Sequence, residues 1–211
     1  MVQTAVQRLT LAEYLDFPVG DGPRELEQGV VVDLSQVQGL HGDLVLNLTN
    51  VLNFHIENQG FLYKAQAQVY GIPIPQSHRL HTSRTPDVCV VTLEQAAKLE
   101  RQRALLDSPP LLVVEVVSEG AKNYQRDHVD KLAEYARAHV PEYWTMDYTV
   151  LDKELVSVYC LEQLPSGWGY VEENAGKFGL DEAIVSPTFP HLRVTLRQLL
   201  SKLSGRELLQ F

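Results

Sequence analysis

Cysteine is almost missing from this 211-residue chain: Cys89 and Cys160 are the two, each set in an apolar run. That excludes a disulfide framework and fits a reducing compartment. No run of 18 or more apolar residues occurs, so nothing in the sequence reads as a membrane span. The opening Met1-Val2-Gln3-Thr4-Ala5 lacks the basic and apolar regions of a signal peptide, so a cytoplasmic protein is expected. Positive charge is scarce too, with 18 Lys and Arg against 27 Asp and Glu and a net charge of −9. Phosphate binding needs local positive potential, so this balance counts against tight, non-specific DNA binding. One modest enrichment, Arg79, Arg84, Lys98, Arg101 and Arg103, is diluted by Glu94 and Glu100. The sequence also lacks a Gly-rich phosphate loop, a nucleophile elbow, a zinc-protease helix and a paired-Cys motif. Those absences argue against P-loop nucleotide hydrolysis and serine hydrolase chemistry.

What remains is globular: 45% hydrophobic and 21% charged residues place the chain among folded proteins, and 1–211 reads as one domain. Thr10-Leu11-Ala12-Glu13 is a capping box opening a short helix that ends near Pro18. Arg24 to Leu34 alternates as a strand. Gly39 to Asn58 has helical spacing, with Leu40, Leu44, Leu48, Val51, Leu52 and His55 on one face and Gly60 as the stop. Phe61 to Ile72 is a further strand, followed by an irregular stretch bracketed by Pro73, Pro75 and Pro86. Strands follow at 87–92 and 111–118, with a short helix at 93–103 between them. A strong helix spans Asp127 to His139, strands are expected near 144–148, 154–161 and 167–173, and a closing helix at 196–203. The pattern predicts an α/β protein with a mixed central sheet flanked by helices.

Two acids stand out against this apolar background. Thr85-Pro86-Asp87-Val88 puts a carboxylate at the head of the run Val88–Val91, and Leu111-Leu112-Val113-Val114-Glu115-Val116-Val117 carries another near a strand exit. An ionised carboxylate in an apolar setting needs a metal, a cation or several hydrogen bonds. Two strand-borne acids facing one another suit a divalent cation, which prefers hard oxygen ligands on rigid elements. The plainer alternative is that each acid caps a strand or pairs with an arginine.

The continuation from Glu115 through Asp127-His128-Val129-Asp130-Lys131-Leu132 and Tyr135 to Pro141-Glu142-Tyr143-Trp144, closing on Asp147, resembles the "Uma" family of restriction-endonuclease-like proteins. That family, formerly a domain of unknown function, belongs to the PD-(D/E)xK nuclease superfamily. Upstream, Glu25-Leu26-Glu27-Gln28-Gly29 resembles its first strand and His41 its first-helix histidine, so the resemblance covers roughly 10–165. It implies a restriction-endonuclease-like sheet and a Mg²⁺ or Mn²⁺ ion held by Asp87, Glu115 and the backbone carbonyl of Val116. It implies hydrolysis of DNA phosphodiester bonds, with Glu25 and His41 as possible additions to the site. The superfamily's usual lysine, two residues after the acid, is replaced here by Val117. By resemblance the cation has moved to Lys131 on the following helix, where it would stabilise charge on the phosphorane and position the attacking water.

Spacing alone points elsewhere for Lys131. With Val129, Leu132, Ala133, Ala136 and Val140 as the apolar stripe, Lys131 falls nearly opposite, as a solvated partner of Asp127. Lys122 is the reserve candidate. Glu25 also reads as an exposed strand carboxylate, and His41 as a polar helix-start residue. His78 and His81 have loose metal spacing without a second pair, and Tyr135, Tyr143 and Trp144 read as core aromatics rather than a base-stacking platform. Two function classes remain: a metal-dependent DNA endonuclease, and a nuclease-like fold kept as a binding or regulatory module with weak or absent catalysis. Metal-dependent chemistry on a non-nucleic substrate also stays open. A homodimer is expected for cutting both strands of a duplex.

Overall fold

The computed structural model describes residues 8–18, 22–34, 39–76, 81–99, 105–149 and 154–201. Thr10 caps helix α1 (Leu11–Asp16) through the reciprocal Thr10–Glu13 bonds of a capping box. The stretch expected as a single strand is instead a hairpin, β1 (Arg24–Glu27) and β2 (Val30–Asp33). Gln28 at φ 48° and Gly29 at φ 83° make the turn, since two successive left-handed residues match the twist of a two-residue hairpin. Helix α2 (Gly39–Gln59) follows as expected, stopping before Gly60 at φ 69°. Its buried face is Leu44, Val45, Leu48, Val51, Leu52 and Ile56, whereas Leu40 is exposed.

The segment expected as one strand from Phe61 to Ile72 divides between two sheets. Strand β3 (Tyr63–Ala67) joins the large sheet, and β4 (Ile72–Ile74) turns away to pair with β5 (Thr82–Arg84). β4 and β5 join the β1–β2 hairpin in a small antiparallel sheet of order β2-β1-β5-β4. Strand β6 (Val88–Thr92), helix α3 (Leu93–Leu99) and β7 (Leu112–Val116) come next. The rest of the 93–103 helix expectation, and the end of the closing helix beyond Ser201, lie outside the described residues.

A long helical segment then runs through α4 (Ala121–Gln125), a π-helical turn (Arg126–Asp130) and α5 (Lys131–Arg137). Strands β8 (Glu142–Met146), β9 (Val156–Leu164), β10 (Gly167–Tyr170) and β11 (Gly176–Phe178) and helix α6 (Leu196–Leu200) complete the order. The large sheet runs β10-β9-β8-β7-β6-β3, with β11 also on β9. The β7–β8 pair is parallel and the others antiparallel, which makes the sheet mixed as expected.

Alternation along the central strands divides the core. Val88, Val90, Leu112, Val114 and Val116 pack with α2 and α6, while Cys89, Val91 and Val113 face α5 and the rings of Tyr135, Tyr143 and Tyr159. Glu115 shares its face with Val113, so a carboxylate is directed into the α5 side of the core.

Candidate active site

Strand pairing brings the two acids together. The β6–β7 register sets Val88 opposite Val114, and one further step places Asp87 opposite Glu115. Facing carboxylates repel, and both residues are buried. The surrounding groups meet that cost. Asp87 Oδ2 accepts from the Val116 backbone N–H at 2.8 Å, and Oδ1 from the Gln68 side chain at 3.0 Å. Glu115 Oε1 accepts from the Tyr135 hydroxyl at 2.5 Å, and Oε2 lies 2.9 Å from Lys131 Nζ.

Lys131 is 5% exposed and not solvated. The apolar stripe drawn from 100° spacing holds at Leu132, Ala136 and Val140 but fails at Val129, which is exposed, and Ala133, which is open to solvent, while Asp127, Lys131 and Tyr135 face the sheet. The π-helical turn is the reason. The Lys131 N–H bonds the carbonyl of Arg126, five residues back, so the wider turn rotates α5 relative to a regular helix. Its buried face becomes a polar row at i, i+4 and i+8, aimed at Glu115. Asp127 still lies 3.4 Å from Lys131 Nζ, but as a fully buried partner that is also gripped by Arg126 at 2.8 and 3.1 Å.

Asp87, Glu115 and Lys131 line a cleft of about 490 Å³, together with Glu25, His41, Gln68, Val116, Arg126 and Tyr148. Glu25 is buried and not an exposed strand carboxylate. Its oxygens accept from Arg84 Nη1 at 2.9 Å and the Thr85 N–H at 2.9 Å. Arg84, read from sequence as part of a basic enrichment, is itself buried and bound in turn by Glu134 at 2.6 and 3.2 Å. Of the remaining enrichment, Lys98 pairs with Glu94, and Arg79, Arg101 and Arg103 lie outside the described residues. His78 and the side chain of Lys122 lie outside them too.

His41, at the start of α2, places Nδ1 3.2 Å from Ser118 Oγ. Its Nε2 stands 3.3 Å from Asp87 Oδ1 but misses hydrogen-bond geometry, and it is buried without a partner among the described residues. Sequence reasoning missed Gln68 and Tyr135 as members of this site. Gln68 adopts φ 49°, a left-handed conformation that is costly for a residue with a Cβ, and its own N–H also bonds the Asp87 carbonyl. Nothing local marks Gln68. It reaches Asp87 because β3 pairs with β6 in the register Ala67 to Val88.

The charges divide the two acids. Burial alone would raise the Asp87 carboxyl, but neighbouring His41, the Lys131 ammonium and the Val116 N–H outweigh it and hold it below its ordinary value. Burial pushes Glu115 up to about 8, Lys131 opposing and Asp87 and Asp127 adding to the rise. Burial would also weaken the Lys131 ammonium, yet Glu115, Glu25, Asp127 and Asp87 together hold it above its ordinary range. Glu115 contributes most to keeping Lys131 charged, with Glu25, Asp127 and Asp87 adding to it.

A family model described as "Putative restriction endonuclease" matches residues 11–197. The chain belongs to this family, Uma2. A crystal structure from Anabaena variabilis, described as "a putative nuclease belonging to DUF820", shares the fold with a TM-score of 0.65. The alignment covers 91% of this chain and 97% of that one at 16% identity, so the likeness is one of fold. Comparison with curated proteins finds no match. As a Uma2 member the chain has the mixed sheet and flanking helices expected of it, and no helix among the described residues is long and apolar enough to cross a membrane.

Each carboxylate oxygen of Asp87 and Glu115 has a named protein partner and a lone pair to spare, and the buried His41 Nε2 lacks a partner beside Asp87. Among the described residues no three His, Cys, Asp or Glu side chains converge to hold a metal. What the site offers a divalent ion is therefore two carboxylates on rigid strands, hard oxygen donors whose remaining coordination would have to come from water or backbone.

Proposed function

We propose that this Uma2 member is a metal-dependent endonuclease of the PD-(D/E)xK type, hydrolysing DNA phosphodiester bonds. The observation that carries this reading is the buried ammonium of Lys131, 2.9 Å from Glu115 and in one cleft with Asp87. A buried lysine shared among acids is costly to build for stability alone, and it supplies the cation that Val117 leaves missing.

Asp87 and Glu115 would hold Mg²⁺ or Mn²⁺, with the Val116 carbonyl and waters as further donors. Bound there, such an ion polarises a phosphate and acidifies a coordinated water. Lys131, kept charged by its acids, stabilises negative charge on the phosphorane and orients the attacking water. Arg126, two-fifths exposed at the rim, offers a guanidinium to the strand's phosphates. Tyr135 and Gln68 hold the two carboxylates in place. The unpaired Cys89 and Cys160 suit a reducing cytoplasm, and a second copy of the chain would supply the second cut in a duplex.

One observation favours a second reading, a nuclease-like binding module: both Glu115 oxygens are already engaged by the chain's own donors. Mn²⁺ calorimetry on the wild type and on Asp87→Ala separates the two, followed by nicking assays on supercoiled DNA. Micromolar binding that is lost in the variant, with metal-dependent nicking, supports the endonuclease. Stable protein that neither binds Mn²⁺ nor nicks DNA in its presence would sink it in favour of the module.

A further inference from the structure

A second cleft, of about 530 Å³, borders the same helical segment. Asn123, Arg126 and Lys131 line the first cleft, whereas Tyr124, His128 and Val129 line the second, so one helix width of about 10 Å separates them. At the end of β8 the division repeats, with Asp147 in the second cleft and Tyr148 in the first.

The lining of the second cleft suits a flat, neutral, hydrogen-bonding ligand. Tyr124 stacks on His128 with ring centroids 4.2 Å apart at 28° and is 52% exposed, which leaves an aromatic surface open. Beneath it, His128 Nε2 is buried without a hydrogen-bond partner among the described residues. It faces Asp147 Oδ2 at 3.9 Å, too long for a hydrogen bond, while Thr149 engages Oδ1 of the same carboxylate. A ring nitrogen and a carboxylate oxygen side by side match a ligand edge that carries a donor next to an acceptor. Further along the wall, Lys177 lies over the Tyr159 ring and is held by Glu172. With Asp147 and Glu172 present, and the one lysine so engaged, this cleft repels phosphate rather than attracting it.

We propose that the second cleft is a nucleobase pocket, taking an unpaired base from the strand whose phosphate lies in the first cleft. It rests on the phosphodiesterase reading given above. Bases carry adjacent donors and acceptors on their edges and stack on aromatic rings whatever their sequence. The volume lies within the range of small-ligand pockets. A base inside an intact duplex is stacked and paired, so the pocket selects single-stranded DNA or a base turned out of the helix. Stacking also supplies binding that a chain of net charge −9 does not obtain from phosphate attraction.

The test uses the whole chain without added metal and two fluorescent probes. One is 2-aminopurine deoxyriboside, which has no phosphate; the other is a single-stranded oligodeoxynucleotide carrying one 2-aminopurine. Saturable quenching of both is expected, with the oligonucleotide binding more tightly. Tyr124→Ala is expected to weaken both by at least about fivefold, the lower end of a base-stacking contribution, and Tyr124→Phe to retain them. Asp147→Asn is expected to weaken them as well, and Asp87→Ala to leave nucleoside binding unchanged. Absence of saturable quenching in the wild type, or affinities unchanged in both Tyr124→Ala and Asp147→Asn, overturns the pocket. An oligonucleotide that binds no better than the nucleoside overturns the link to the strand. Failure of the phosphodiesterase reading would show separately, as nucleoside binding intact in a protein that takes no Mn²⁺.

Discussion

The Tyr135 hydroxyl donates to Glu115 Oε1 at 2.5 Å from one helical turn beyond Lys131, which holds Oε2 of the same carboxylate. The two donors at i and i+4 grip one acid from one face of α5. Tyr135 can play this part because burial, and then the neighbouring Glu115, keep its hydroxyl protonated far above the ordinary tyrosine value. Replacing Tyr135 with Phe removes a donor that favours the ionised carboxylate. Glu115 should then titrate higher still, Mn²⁺ affinity at pH 7 should fall, and stability should drop by about 1–3 kcal/mol. Urea unfolding and Mn²⁺ titration of the variant check both.

The pH dependence of metal affinity follows from the same acid. Glu115 is raised from an ordinary 4.5 to about 8, so in the metal-free fold it holds a proton that an ion must displace. Mn²⁺ affinity is expected to rise with pH by up to roughly tenfold per unit and to flatten above about 8. The stability linkage has the opposite slope. A carboxyl raised on folding contributes stability that is full below 4.5 and is lost as pH rises through about 8. Metal-free protein should therefore lose this contribution across that window, and saturating Mn²⁺ should remove the loss. Calorimetry and thermal melts at a series of pH values measure the two trends.

Glu115→Gln keeps the shape and leaves an acceptor for Lys131. Stability is expected to change by no more than about 1–2 kcal/mol, while Mn²⁺ binding and DNA nicking are abolished. Wholesale unfolding of the variant in circular dichroism would mark Glu115 as a structural carboxylate instead.

Lys131→Met tests the cation apart from the metal acids. Removing one member of a buried ion pair commonly costs about 3–5 kcal/mol, but Glu115 already favours its neutral form and can protonate, so a smaller loss is expected. Nicking should fall by about 10²–10³-fold, the scale of losing one charge-stabilising group, with Mn²⁺ binding retained at high pH. Nicking at wild-type rate in this variant would assign the cation to another residue.

Arg84→Met tests the support beneath the site. The guanidinium is 3% exposed and bound by Glu25 and Glu134, so its removal strands two acids against the core. A loss of about 3–5 kcal/mol in urea unfolding is expected, with a further variant, Arg84→Lys, recovering only part of it because lysine lacks the fork that spans both carboxylates.

That Asp87 and Glu115 need partners was legible in the sequence. Asp87 and Glu115 stood out because a carboxylate inside an apolar run is expensive, and that cost does not depend on knowing the fold. The helix Gly39–Gln59 and the Thr10–Glu13 cap were also legible, since both arise from local spacing and local hydrogen bonds. The hairpin at Gln28-Gly29 was missed because alternation continues across it. Helical spacing misplaced Lys131 because it assumes a uniform turn, and the π-helical turn at Arg126–Asp130 breaks that assumption without a proline or glycine to announce it.

By itself, then, the sequence determined which segments could be strands or helices and which acids had to find partners. Both follow from side-chain chemistry and short-range periodicity. Only the tertiary structure decided who those partners are. Register between β6 and β7 sets Asp87 against Glu115, register between β3 and β6 delivers Gln68, and the rotation of α5 turns Lys131 and Tyr135 inward. Such contacts join residues 16 to 29 positions apart, where the chain's path through space rather than its local pattern sets the distance.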